Sequence, residues 1–204
     1  MRLQNRRFII ETTIITDEET FIEHKKMADR CFSSWEGEPA FESITRALSI
    51  MVREKPTNTV TRFLIYGDYY SFEENFNCVL LETTRLVVLT SDTLFFIALP
   101  SGDLAAESSV FRDEYSLAFD LYPFSGGYVI HGELETVMFD KHCRRLWSFS
   151  ARDIFVFRPA HPELDPFKIE GNHIVLHDWL GWKYVLDAKG RCIEERQVVV
   201  SDEN

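Results

Sequence analysis

Residues 135–143, ETVMFDKHC, and residues 182–190, WKYVLDAKG, decide the fold, because each stretch runs from a short apolar strand into a polar turn. Asp140 and Asp187 end these strands, and Arg144 and Arg191 follow just past the turns. A third copy, TLFFIALPSG at residues 93–102, lacks the Asp. A shorter apolar strand precedes each copy, so the pattern predicts a repeated strand-turn-strand unit with the ~20–50-residue period of repeat architectures.

The chain from residue 59 onward keeps this extended character. Apolar runs rich in β-branched and aromatic residues alternate with short turns that contain Gly, Pro or Asp. Such alternation indicates strands rather than helices. We therefore predict a long antiparallel β-meander, whose strands include residues 60–66, 78–82, 154–158 and 192–200.

The N-terminal segment reads differently. Residues 7–15 predict a strand, and the hydroxyl and carboxylate of residues 16–19 form a capping box that starts a helix. A second amphipathic helix is predicted to end before Pro56. The apolar residues with helical spacing are Phe21, Ala28, Phe32 and Trp35 in the first helix, and Phe41, Ile44, Leu48 and Met51 in the second.

These elements predict an α+β fold that is mainly β. An N-terminal strand and two helices occupy residues 1–58, and the antiparallel meander with its blade-like repeats occupies residues 59–204. We expect the two segments to pack together as one domain, since 204 residues are enough for a self-sufficient core.

The best copies of the repeat carry a resemblance. Val137-Met138-Phe139-Asp140, followed by Arg145-Leu146-Trp147, resembles the strand-Asp-turn-Trp pattern of quinoprotein-like β-propeller blades. The resemblance covers about half the chain and implies a partial, propeller-like sheet that is either open or closed with help from the N-terminal half. It implies no cofactor and no site residues.

Charge is the strongest functional signal. The net charge is −11, which argues against a nucleic-acid partner. Residues 67–140 contain thirteen carboxylates and only two arginines, so a basic protein partner is expected. This favours an immunity or inhibitor protein that neutralises a basic toxin or nuclease, although an acidic surface kept for solubility fits equally well. The carboxylates predicted to form the contact are Asp68, Glu73, Glu74, Asp113, Glu114 and Asp120.

Two tryptophans add a second candidate contact. Trp179 and Trp182 flank Leu180-Gly181, and we expect them to cluster with Trp147 and the loop at residues 161–166 at one end of the sheet. Aromatic side chains at an exposed rim often anchor partners, and tryptophans at strand ends also cap cores. A third interpretation makes the chain a structural subunit of a larger assembly, with a sheet edge or this tryptophan loop as the contact.

The sequence contains few candidate residues for catalysis or metal binding. His173 and His177 are predicted to share one face of a strand, with Asp178 nearby, which allows an alternative metal- or ligand-binding enzyme. The chain has no G-x-S-x-G motif and no cofactor motif, so we expect no enzymatic activity and no cofactor.

The expected cellular location rests on features of secreted and membrane proteins that the sequence does not show. The longest apolar run, residues 94–99, is far shorter than the ~20 residues of a membrane helix. The four cysteines are widely spaced, and no export signal is visible. A cytoplasmic protein without membrane contact is the expectation, and the sequence leaves its oligomeric state open.

Overall fold

A computed structural model describes residues 1–33, 46–67, 77–111 and 116–198. The chain divides into two compact units, Met1–Ser109 and Val110–Asn204. Within the described ranges, no helix has the length and apolarity needed to cross a membrane.

A five-stranded sheet and one helix open the first unit. The sheet has the order β1-β2-β4-β5-β3, and β3 runs parallel to β5 whereas all other neighbours are antiparallel. Because β4 and β5 are adjacent, the predicted division at residues 58 and 59 falls inside this sheet. The elements are β1 Arg2–Gln4, β2 Phe8–Ile15, α1 Glu18–Met27, β3 Arg30–Ser33, β4 Ala47–Glu54 and β5 Val60–Tyr66.

The first predicted helix exists but is shorter than expected. Asp17 rather than Thr16 is the N-cap, because its side chain accepts a hydrogen bond from the backbone N–H of Thr20 at 2.8 Å. Helix α1 ends at Met27, and residues 30–33 leave it to pair with β5. Phe32 therefore belongs to a strand and not to the apolar face of the helix, while Trp35 lies outside the described residues.

The second predicted helix is wrong. Its described part is strand β4, in which Leu48, Ile50 and Val52 are buried on one face. This period of two, strengthened by two β-branched residues, outweighs the helical spacing of Leu48 and Met51. Phe41 and Ile44 lie outside the described residues.

Three four-stranded sheets follow, and each connects its strands antiparallel in chain order, which is the topology of a propeller blade. We call them the first, second and third blades. This arrangement confirms the mainly β architecture and the blade-like repeats. The strands are β6 Val79–Leu81, β7 Arg85–Leu89, β8 Thr93–Ala98 and β9 Leu104–Ser109; β10 Ala118–Phe124, β11 Gly127–Gly132, β12 Glu135–Phe139 and β13 Arg145–Ser150; and β14 Phe167–Glu170, β15 His173–His177, β16 Trp182–Leu186 and β17 Cys192–Gln197.

The last hairpins of the second and third blades share one turn. Asp140 accepts hydrogen bonds from the backbone N–H groups of His142 and Arg144 at 2.8 and 2.9 Å. Asp187 accepts the same pair of bonds from Lys189 and Arg191 at 2.9 and 3.0 Å. Each Asp also pairs with the arginine side chain past the turn, so the repeated Asp and Arg are turn-forming residues.

Two details of the meander differ from the sequence prediction. Residues 154–158 form no strand, because Phe155 is fully buried and its backbone N–H donates to Glu133 O rather than to a ladder. Strands β9 and β14 are absent from the predicted set, since both are short and largely polar on one face.

Blades two and three share one core in the second unit. Val129 and Met138 of the second blade pack in the same buried cluster as Ile174, Leu176 and Leu186 of the third. Phe155 from the connecting segment completes this cluster.

Candidate functional site

The turn between β15 and β16 is organised by Asp178, which is only 1% exposed. Its Oδ1 accepts a hydrogen bond from the backbone N–H of Trp182 at 2.9 Å, and its Oδ2 accepts one from the hydroxyl of Tyr184 at 2.8 Å. Its backbone N–H donates to Trp182 O, and its carbonyl accepts from the N–H of Gly181. A buried carboxylate is costly unless it is hydrogen-bonded, so these bonds hold residues 178–181 in one conformation. We call residues 178–181 the Trp179 turn.

Tyr184 ties this turn to the connecting segment. Its ring is buried and packs edge-on against Phe149, and its hydroxyl accepts a bond from the backbone N–H of Arg152 at 3.4 Å. Burial, followed by the hydrogen bond to Asp178, raises the pKa of Tyr184 well above its usual value. The phenol therefore stays protonated and remains a donor to Asp178.

Large apolar side chains project from this rigid turn. Trp179 is 41% exposed and Leu180 is 45% exposed, and Phe157 in the preceding segment is 52% exposed. The backbone N–H of Trp179 donates to Ile154 O at 2.9 Å, and the Arg158 guanidinium lies 5.6 Å from the indole centroid. The turn thus holds Trp179 and Leu180 open to solvent, and Phe157 is a further exposed apolar residue in the segment that precedes it.

The other tryptophans have different environments. Trp182 is half-buried against the shared core, and the Arg152 guanidinium covers its ring at 3.9 Å. Arg152 is itself fixed by an ion pair with Glu195 at 2.7 Å. Trp147 packs against the turn at Gly190, and its Nε1 donates to Ala188 O at 3.3 Å. The predicted grouping of Trp147 with Trp179 and Trp182 at one rim is therefore wrong, and Trp179 is the exposed member.

The predicted acidic face can be placed at one residue. Asp68, Glu73, Glu74, Asp113 and Glu114 lie outside the described residues. Asp120 lies in β10, half-buried, with its Oδ2 4.0 Å from Nδ1 of His131. Its partial burial beside a core histidine makes it a poor contact residue.

The histidine pair does not converge on one point. His173 and His177 lie at opposite ends of β15, and four strand residues span about 13 Å, far more than one metal ion can bridge. His177 Nδ1 lies 2.7 Å from Asp165 O, and the Asp178 carboxylate is committed to Trp182 and Tyr184. In the part of the chain that the structure describes, no group of three or more His, Cys, Asp or Glu side chains is arranged to hold a metal ion. In this arrangement the two histidines of the metal-site hypothesis lie at opposite ends of β15, and Asp178 is engaged in its own turn.

Several residues on or near the Trp179 turn were not predicted from the sequence. It named Trp179 but assigned no contact role to Leu180, Phe157 or Arg158, and it treated Asp178 as a metal ligand. A signal for Asp178 was present, because an Asp three residues before a glycine is typical of a turn whose carboxylate caps backbone N–H groups. Phe157 gave no such signal, since an apolar residue in an apolar run reads as core.

Comparisons with known proteins give low-identity structural similarities. No family model matches the chain, and no curated protein matches it. BamB from Moraxella catarrhalis is similar with a TM-score of 0.46 and 12% identity, covering 81% of this chain and 51% of that one. The computationally designed Ika8 protein gives 0.45 and 12%, covering 73% and 46%, and the Pan2 WD40 domain of Neurospora crassa gives 0.45 and 11%, covering 62% and 38%. The chain thus spans about half or less of the length of these structures.

Proposed function

We propose that the chain is a protein-binding module whose contact is centred on the Trp179 turn. The observation that carries this proposal is the exposure of Trp179 and Leu180 on a turn held by the buried Asp178. Aromatic side chains on a rigid scaffold bury a large area at a small entropic cost when a partner binds.

The exposure of Trp179 supports a role in binding rather than a role in capping the core. A tryptophan that caps a core is covered by it, whereas Trp179 keeps 41% of its surface in solvent and is followed by Leu180, which is also exposed. The Arg158 guanidinium beside the Trp179 ring places a charged group next to these apolar side chains, as at the polar rim of a protein interface.

The net charge of −11 supports a basic partner, because complementary charge accelerates encounter and selects among partners. The finer form of the proposal is a cytoplasmic immunity or inhibitor protein that neutralises a basic toxin or nuclease. In this form the charge steers the partner, and the Trp179 turn supplies the contact that holds it.

Capture from a lysate of the source cells at low ionic strength tests this proposal. Three baits are compared: the wild-type chain, Trp179→Ser, and Leu146→Ser as a matched control, since Leu146 is 57% exposed on β13 away from the turn. We expect a basic protein on the wild-type and Leu146→Ser baits, its loss from Trp179→Ser, and its release by added salt. Equal recovery on all three baits, or a partner that is acidic and insensitive to salt, would refute the proposal.

A further inference from the structure

The last strand of every blade carries a β-bulge at the same position. In each blade, two consecutive residues of the preceding strand pair with residues that are separated by one extra residue on the last strand. The extra residues are Ala105 in β9, Leu146 in β13 and Ile193 in β17, and all three are exposed. The pairs on either side of them are Phe96 with Ala106 and Ile97 with Leu104 in the first blade, Met138 with Trp147 and Phe139 with Arg145 in the second, and Val185 with Glu194 and Leu186 with Cys192 in the third.

The turn sequence does not account for these bulges. The first blade lacks the Asp that organises the turns at Asp140 and Asp187, yet it has the same bulge. The extra residue is Ala, Leu or Ile in the three blades, so no particular side chain creates the irregularity. The bulge is therefore a feature that the blades share and not an accident of one hairpin.

The bulges lie on open sheet edges. Among the described residues, β9, β13 and β17 are each the final strand of their sheet and pair on one side only. An edge strand presents unpaired backbone N–H and C=O groups, which can pair with a strand of another chain. A bulge interrupts this row of groups and increases the local twist, so a straight strand could pair only beyond it. The uninterrupted stretches beyond the bulges are residues 106–109, 147–150 and 194–197, each shorter than the ~5–6 residues of a typical strand.

Charged side chains give the third blade a second barrier. Beyond its bulge, β17 carries Glu194, Glu195 and Arg196, and charged residues on an edge strand oppose pairing with another strand. Strand β13 has no charged residue beyond its bulge, since residues 147–150 are Trp, Ser, Phe and Ser. The bulge at Leu146 is therefore the main protection of this edge.

We propose that the bulge closes the last strand of each blade to strand addition, so that neither a second copy of this chain nor an extended segment of a partner can lengthen these sheets. Contacts with other proteins are then made by side chains, such as those of the Trp179 turn, and not by backbone pairing along β9, β13 or β17. A structural subunit that associates through a sheet edge would have to use a different edge.

Deletion of Leu146 from the full chain tests the proposal. Without Leu146, the pairs Met138–Trp147 and Phe139–Arg145 become consecutive, so the ladder is regular and the side chains on either side keep their faces. Sedimentation velocity over a range of protein concentrations measures self-association. We expect a monomer for wild type, and for the deletion variant a dimer whose association constant is at least about tenfold larger than any measured for wild type. Backbone amides of residues 147–150 should exchange more slowly with solvent in that dimer.

Leu146→Ser is the matched control, because it removes the exposed apolar side chain but keeps the extra residue and therefore the bulge. It should sediment as the wild type does. Cooperative urea unfolding shows whether the deletion variant is folded. If it is not, deletion of Ala105 replaces it with the same expectation, since Glu107 is the one charged residue beyond that bulge.

Three results would overturn the proposal. They are a deletion variant that is as monomeric as wild type, equal self-association of the deletion variant and Leu146→Ser, and a wild-type dimer in which the amides of residues 147–150 are protected from exchange. Trp179→Ser should leave self-association unchanged, so this test and that of the proposed protein contact fail independently.

Discussion

Trp147 of the second blade lies against Gly190 in the last turn of the third blade. A Cβ atom placed at Gly190 would overlap the indole ring, and Trp147 Nε1 donates to the carbonyl of the neighbouring Ala188 at 3.3 Å. The Asp187 turn is thus the surface on which the tryptophan of the preceding blade docks. The strand-Asp-turn-Trp pattern of the sequence therefore has a physical role, since the Asp shapes the turn and the Trp joins successive blades.

Gly190→Ala tests this docking. Gly190 has φ of 75°, which costs an L-residue ~1 kcal/mol, and the overlap with Trp147 adds ~1–3 kcal/mol of overpacking. Gly126→Ala is the matched control, because Gly126 has φ of 81° but its Cβ would meet open space. Urea unfolding should show a larger loss of stability for Gly190→Ala than for Gly126→Ala. Equal losses would mean that Trp147 can move aside at no cost, which would contradict its docking on this turn.

Tyr184→Phe tests the role of the buried Asp178. The substitution keeps the ring but removes the hydroxyl that donates to Asp178 Oδ2 and accepts from Arg152 N–H. Leaving buried groups without partners should lower the free energy of unfolding by ~1–3 kcal/mol. Asp178→Asn should lower the free energy of unfolding by less than Tyr184→Phe does, because an amide retains an acceptor for Trp182 N–H and can donate to the phenol. Stability of Tyr184→Phe within ~0.5 kcal/mol of wild type would contradict this account of the turn.

Acid should lower the stability of the fold through the turns that Asp140 and Asp187 organise. Hydrogen bonding from the backbone N–H of Arg144 is the main cause that lowers the pKa of Asp140 to about 2, and the Arg191 side chain is the main cause that lowers the pKa of Asp187. An unfolded Asp titrates near ~3.9, so the stabilisation is present above that pH and is lost as the pH falls toward 2.

The measurement is the thermal midpoint as a function of pH for wild type and for Asp140→Asn/Asp187→Asn. The variant should melt at a lower temperature at pH 7, and the difference should shrink as the pH falls from about 4 to 2. A difference that stays constant across this range would show that the charges of these carboxylates do not stabilise the turns.

The repeats were predictable because their signals are local. A strand that ends in Asp, a short polar turn and an Arg beyond it all lie within ten residues, and the matching turn residues Cys143 and Gly190 adopt φ of 64° and 75°. Strand β4 was mistaken for a helix because its long-range pairing with β2 and β5 decides its conformation. Phe155 was mistaken for a strand residue because an isolated buried side chain in a connecting segment has no periodic signature.

Only one part of the site could be predicted. Exposure of Trp179 depends on the backbone of the Trp179 turn, and that backbone depends on bonds from Asp178 to residues four and six positions later. The separation of His173 and His177 did follow from their spacing, since four residues of a strand span about 13 Å. The charge pattern predicted a basic partner and a contact at six carboxylates, of which only Asp120 lies within the described residues.

The most direct test of the proposed contact is the dissociation constant of the captured basic partner for wild type and Trp179→Ala, measured by titration calorimetry. If the Trp179 turn is the centre of the interface, Trp179→Ala should weaken binding by roughly thirtyfold or more, the effect of losing a ~2 kcal/mol anchor, while Leu146→Ala binds as the wild type does. Equal dissociation constants for Trp179→Ala and wild type would contradict the account.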